Sequence, residues 1–237
     1  MPKELSVIIL TSFNRSDLVA KMLWQINHTA DVPCEIIVVD NGSTDDTPSV
    51  VTLFPGTKYF RFPVNKGIAP AWNLGVKMST CPVVVILNND LEIQDNHWMS
   101  KLVSACETKS IVGHNIRSNN PLTDNIPYVE GYLIATKRET FEDIGFFDEE
   151  FLPFNFEDAE FSVRAVHHGY DLLPVSLNIK HNRGTTITQN FSYEEVEEIN
   201  RKNQELFRRK VDAYKSAYCG TVPLTGDAAV CRASLPV

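Results

Sequence analysis

A chain of 237 residues with 43% hydrophobic side chains has enough apolar material to bury a substantial core in one domain, which excludes a disordered or fibrous protein. Its 30 acidic against 22 basic residues leave a net charge of −8, which argues against a polyanionic partner while leaving room for a local basic patch. No secretory h-region and no run long enough to cross a bilayer occur, so a cytoplasmic protein is expected, with peripheral attachment to a membrane left open.

The first strand is read at Leu5-Ser6-Val7-Ile8-Ile9-Leu10. A polar turn follows, with Ser16 as N-cap of a helix running to about Asn27. Glu35-Ile36-Ile37-Val38-Val39-Asp40 is a second strand, continuous in apolar residues as buried parallel strands are. It ends on an aspartate before the turn Asn41-Gly42-Ser43-Thr44-Asp45 and a short helix. A strand near 58–62 and a helix over 70–79 lead to a further strand, Val83 to Leu87, closing on Asn88-Asn89-Asp90. This alternation predicts an α/β fold with a mostly parallel, helix-covered sheet. The first strand-to-helix turn has no glycine and there is no phosphate-loop signature, which removes the two commonest nucleotide-binding fingerprints.

Helices are expected over 97–108, 139–144 and 157–168, an Asn/Pro-rich loop over 115–127, and an extended stretch over 172–181. Between 193 and 218, Val196, Ile199, Leu206, Phe207, Val211 and Tyr214 follow helical spacing, giving an amphipathic C-terminal helix. Acidic residues open that helix and basic ones close it, as its dipole favours. Its apolar seam can pack on its own domain or on a second chain. Residues 1–218 are read as one domain, with a nucleotide-binding half (1–95), an acceptor and catalytic half (96–192) and the helix (193–218). Residues 219–237 are expected to be a flexible tail. The five cysteines lack any C-x-x-C spacing, so reduced, buried thiols are expected, with Cys219 and Cys231 in the tail as exceptions.

Strand-end acids border the ligand crevice of an open α/β sheet, so Asp40 and Asp90 suggest a polar ligand. Asp40 suits the N–H of a pyrimidine ring or, equally, its own turn. Asp90 is a carboxylate for Mg²⁺ or Mn²⁺, able to offset charge building on a diphosphate. Downstream, Asp158 is positioned to act as a general base, with Glu157 and Glu160 competing within one helical turn. The alternative for all three is an acidic first turn stabilising its own helix.

The set Thr11-Ser12-Phe13-Asn14-Arg15, Asp40-Asn41-Gly42-Ser43, Asn65-Lys66-Gly67 with Asn73-Leu74-Gly75, Asn88-Asn89-Asp90, Glu157-Asp158-Ala159-Glu160-Phe161 and His181-Asn182-Arg183-Gly184-Thr185 resembles the family 2 glycosyltransferases of GT-A fold, in family order across about residues 5–190. Asn88 in place of the usual acid resembles the rhamnosyl- and galactofuranosyl-transferase subgroup. The resemblance implies an inverting, metal-assisted transfer of a sugar from a nucleotide diphosphate sugar, UDP- or dTDP-linked, to a hydroxyl on a glycan or lipid-linked glycan precursor. It implies donor contacts from Thr11, Ser12, Asn14, Arg15, Asp40 and Asn41, and from Lys66, Gly67, Asn73, Asn88 and Asn89. Asp90 and His181 would serve the metal, Asp158 with Glu157 the chemistry, and Gly131 with Tyr132 the acceptor.

Arg15 in a surface salt bridge, His181 as a packing residue, Trp72 as a core aromatic and the 115–127 loop as plain surface are the competing readings. Two other functions compete as well. One is transfer to a modified nucleic-acid base, suggested by Arg201, Lys202, Arg208, Arg209 and Lys210. The other is a pseudoenzyme that binds nucleotide sugar, suggested by Asn88.

Overall fold

The computed structural model describes residues 5–11, 14–106, 109–182 and 190–217. β1 (Leu5–Thr11), α1 (Ser16–Thr29), β2 (Cys34–Asp40), α2 (Thr47–Thr52), β3 (Lys58–Arg61), α3 (Ile68–Met78) and β4 (Val83–Asn88) alternate as expected. There follow β5 (Leu91–Ile93), α4 (Trp98–Ala105), β6 (Ser110–Gly113), β7 (Ile116–Arg117), β8 (Tyr128–Val129) and β9 (Leu133–Lys137). The chain closes with α5 (Thr140–Asp143), α6 (Glu157–His167), β10 (Asp171–Pro174), β11 (Ile179–His181) and α7 (Tyr193–Ala217).

The main sheet has the order β10-β6-β9-β4-β1-β2-β3. It is parallel except at β9, which runs antiparallel to both β4 and β6. Its central strands are buried on both faces, which is why β2 and β4 read as unbroken Val/Ile/Leu runs. One core layer packs Val19, Met22, Leu23 and Ile26 of α1 and Trp98 of α4 on the sheet. The other packs Trp72 and Val76 of α3 with Phe141, Phe147 and Phe161. A third cluster fastens Phe207 and Val211 of α7 onto Phe151, Phe156, Ala159 and Val163, so the apolar seam of the last helix is spent on its own domain.

Four local expectations are corrected. Ser16 is the first helical residue and not the cap; its N–H donates to the Asp45 carboxylate at 2.8 Å, so a neighbouring loop caps α1. β4 ends on Asn88, and Asn89 and Asp90 form the turn into β5. The stretch 172–181 is two strands in different sheets, β10 beside β6 and β11 beside β5, because residues 175–178 turn away between them. The loop 115–127 is partly ordered by β7 and a 3-10 turn at Pro121–Thr123. Cys81 and Cys106 are buried, Cys34 is half-buried, and all three are free thiols. The stretch Arg183-Gly184-Thr185, Ser12 and the 219–237 tail lie outside the described residues.

Candidate active site

Parallel register brings the strand ends to one rim: Thr11 pairs with Asp40, and Leu10 with Asn88. Beyond the rim lies a cleft of about 390 Å³, bordered by Asn41, Asn88, Asp90, Tyr132, Asp158 and His181 among others. Thr11 is described in its backbone alone.

The structure turns Asp40 away from the cleft. Its carboxylate is fully buried and accepts hydrogen bonds from Ser43 N–H at 2.8 Å and the Tyr59 hydroxyl at 2.6 Å, with Arg61 Nε at 3.5 Å. These are the contacts of the turn role. Asn14 is likewise local: with φ of 60° it accepts from Thr44 N–H at 2.6 Å and Asp45 N–H at 3.2 Å. Arg15 pairs with Asp17 at 2.9 Å, which raises the guanidinium's pKa, and Asp90 adds to the same effect from farther away. Asn41 borders the cleft, donating to Asn65 Oδ1 and Gly67 O and accepting from Lys66 N–H. The Lys66 side chain is exposed and outside the cleft lining.

Gly67 takes φ of 94°, and a Cβ there would stand 2.5 Å from Leu152. Asn73 is also engaged inside the fold. It is buried, donates to Phe147 O at 2.9 Å and Glu149 at 2.8 Å, and accepts from Phe147 N–H at 3.0 Å, so it stitches α3 to the 147–149 turn.

Antiparallel pairing of β5 with β11 sets His181 opposite Leu91, and Asn182 N–H donates to Asp90 O at 3.1 Å. His181 Nε2 thereby lies 3.3 Å from Asp90 Oδ1, with the imidazole tilted by 32° against the Tyr132 ring at 4.4 Å. Two ligands at right angles on a small divalent cation, with bonds of about 2.1 Å, stand about 3 Å apart. Among the described residues no three His, Cys, Asp or Glu side chains gather to hold a metal. A cation held by Asp90 and His181 would need its other positions filled by diphosphate oxygens and water. The Nδ2 of buried Asn89, next to this pair, has no hydrogen-bond partner among the described residues.

The second acidic centre opens α6. Asp158 accepts from Gly131 N–H and Ala159 N–H, each at 2.8 Å. Burial pushes its pKa up to about 6 against those two hydrogen bonds, and Glu130 adds to the rise. Glu157 is buried, its Oε2 has no hydrogen-bond partner among the described residues, and burial followed by Asp158's charge drives its pKa well above the usual carboxylate range. Glu160 is spent inside the fold on Arg164 and the Tyr214 hydroxyl. Gly131 belongs to Asp158 as much as to any acceptor, since a Cβ there would stand 2.8 Å from the Trp72 ring and 3.0 Å from Asp158 Oδ2. Trp72 is a core residue that also borders the cleft, its Nε1 unpaired among the described residues.

Sequence reasoning passed over Arg117, Glu130, Asn155 and Asn200, all of which border the cleft, as does Asn65 of the Asn65-Lys66-Gly67 motif. Their signal was faint: Asx residues in a loop, a two-residue strand and a polar helix face. Four of the five basic residues singled out on α7 are paired, Arg201 with Glu198 and Glu205, Lys202 with Glu198, Arg208 with Asp124, and Lys210 with Asp148 and Glu150.

The sequence profile described as glycosyl transferase family 2 matches residues 7–161. Poly-beta-1,6-N-acetyl-D-glucosamine synthase of Staphylococcus epidermidis is 23% identical over 174 residues, 61% of this chain and 42% of that protein; the chain spans less than half the length of the curated relatives it matches. Two solved structures share the fold. A mannosyltransferase of Pyrobaculum calidifontis, in complex with GDP-mannose and Mn²⁺, superposes with a TM-score of 0.62 at 19% identity, covering 98% of this chain and 80% of that one. Glucosyl-3-phosphoglycerate synthase of Mycobacterium tuberculosis, with Mn²⁺ and UDP, gives 0.63 at 17% identity, covering 93% and 81%. With its GT-A fold and a profile match over well over half its length, this chain belongs to glycosyl transferase family 2.

Proposed function

We propose that this chain transfers a sugar from a nucleotide diphosphate sugar to a hydroxyl acceptor by a single inverting displacement, with Asp158 as the base. The observation that carries this reading is one cleft bordered both by the Asp90–His181 pair and by a carboxylate whose pKa is raised to about 6. A base acts best when its pKa lies just below the working pH, and Asp158 meets that condition through burial. The acceptor oxygen bonds to the anomeric carbon, its proton passes to Asp158, and the bond to the diphosphate breaks with its electron pair leaving on phosphate oxygen. Gly131 N–H and Ala159 N–H keep the carboxylate aimed. A divalent cation at Asp90 and His181, Mn²⁺ or Mg²⁺, supplies electrostatic stabilisation of the leaving diphosphate. Asn88 in place of an acid leaves one less charge for that cation, and the side chains of Asn41, Asn88 and Asn89 offer neutral contacts to the donor.

The donor is a UDP- or dTDP-sugar, with GDP-sugars included because one structural neighbour was solved with GDP-mannose. The acceptor is a glycan or a lipid-linked glycan precursor. Among the described residues no helix is long and apolar enough to cross a membrane. Transfer to nucleic acid loses its support, because most of the α7 cations that suggested it are already paired. A thermal-shift screen of UDP-, dTDP- and GDP-sugars with and without Mn²⁺, followed by donor hydrolysis, tests the proposal. It predicts a metal-dependent rise in melting temperature for one base; no shift and no hydrolysis with any donor overturns it.

A further inference from the structure

Helix α7 lies beyond residues 7–161, the span matched by the family profile, yet one of its side chains grips the catalytic end of the cleft. Asn203 is 4% exposed, and its carboxamide nitrogen faces Phe154 O at 2.8 Å, Asn155 O at 3.1 Å and Leu152 O at 3.4 Å. A carboxamide has two hydrogens, so Phe154 and Asn155 take them and Leu152 sits at the margin. One turn earlier on α7, Asn200 Oδ1 accepts from Asn155 Nδ2 at 2.7 Å. The gripped residues border the cleft and run straight into α6. Asn155 and Phe156 have φ of 72° and 78°, a conformation that non-glycine residues hold only where their surroundings impose it. The next two residues are Glu157 and Asp158.

We propose that Asn203, seconded by Asn200, is a positioning residue for the sugar transfer described above: it fixes the left-handed turn at 155–156 and so the direction in which Asp158 presents its carboxylate. The inference rests on that transferase reading for its function, but the grip itself does not. Phe207 and Val211 hold α7 to the domain independently of Asn203, so cutting the grip leaves the helix docked.

The full chain carrying Asn203→Ala is compared with wild type on whichever nucleotide sugar the wild type hydrolyses with Mn²⁺. The expected result is a fall in kcat of at least tenfold with donor KM within threefold, and an acid limb displaced from about pH 6. A kcat within twofold of wild type overturns the proposal, and so does a donor KM that rises in step with the loss of kcat. Should Asn203→Ala not fold, Asn200→Ala carries the same test with an expected threefold fall in kcat and the same overturning results. If the wild type hydrolyses no donor, the transferase reading fails by itself. Hydrogen exchange then decides the grip. The Glu160 amide, which donates to Phe156 O, and the Ile68 amide, which donates to Pro153 O, are expected to lose at least tenfold protection in Asn203→Ala. Unchanged protection at both overturns the proposal.

Discussion

Two acid-rich segments of this molecule treat their carboxylates in opposite ways. In residues 40–47 two of the three acids are answered inside the fold: Asp40 by a tyrosine hydroxyl, a guanidinium and a backbone N–H, and Asp45 by Ser16 N–H and by Thr47 through both its N–H and its hydroxyl. At 157–158 no cation among the described residues is in contact. Asp158 is held by two backbone N–H groups, and Glu157 Oε2 by nothing among the described residues. At Asp158 the two backbone hydrogen bonds do not offset burial, whereas at Asp45 the hydrogen bonds from Thr47 and Ser16 outweigh it. The first segment builds a turn; the second keeps a proton-accepting group facing the cleft.

The sharpest break of this contrast is Asp158→Asn. Transfer and donor hydrolysis are expected to fall by about 10²–10⁴-fold, the usual worth of a positioned base. Stability moves the other way. A carboxylate whose folded pKa is raised to about 6 from 3.8 penalises the fold once both states are ionised, above pH 6, and not below pH 3.8. The Asn variant is therefore expected to be more stable than wild type at pH 8, by about 1–3 kcal/mol, and to lose that advantage near pH 4. Wild-type turnover is expected to rise through pH 6 as Asp158 loses its proton. Chemical denaturation at the two pH values and a pH–rate profile check both signs.

Next in size is Asp90→Ala, which removes one of the two side chains proposed to hold the cation. Turnover is expected to fall by about 10–100-fold, with the Mn²⁺-dependent thermal shift lost. Equal activity in chelator-treated wild type would remove the cation from the reading. Gly131→Ala follows. Its Cβ must displace either the Trp72 ring, at 2.8 Å, or the Asp158 carboxylate, at 3.0 Å, so an overpacking cost of about 1–3 kcal/mol is expected. About a tenfold loss of kcat should accompany it, since a misplaced base acts poorly.

The parallel half of the fold was legible because a buried parallel strand writes itself as an unbroken apolar run, as in Ile36 to Val39 and Val83 to Leu87. Legibility failed where partners are distant in sequence. Nothing around Ser16 shows that Asp45 will cap its helix, and nothing in Asn73 announces Phe147. The His181–Asp90 approach depends on β5 pairing with β11, two three-residue strands too short to carry a pattern. The motif containing Glu157 and Asp158 was readable as an acidic helix start. That Asp158 keeps a high pKa while Glu160 is tied to Arg164 follows from which face each takes, and so from packing.

The smallest expected change in turnover sharpens the contrast from the other side. Asp40→Asn keeps one oxygen for Ser43 N–H but loses the charge that Tyr59 and Arg61 face. Hydrogen bonds to a charged, buried acceptor are worth more than neutral ones, so the variant is expected to lose about 1–3 kcal/mol of stability. Arg61 is partly exposed, which lets water replace its share and keeps the loss at the lower end. Because Asp40 is sealed from the cleft, donor KM and kcat are expected to stay within threefold of wild type. If KM for the donor instead rises tenfold or more while the melting temperature holds, the Asp40 carboxylate contacts the base after all. The turn at 40–47 would then have to open on binding, and the division between a structural and a chemical acidic segment would fail.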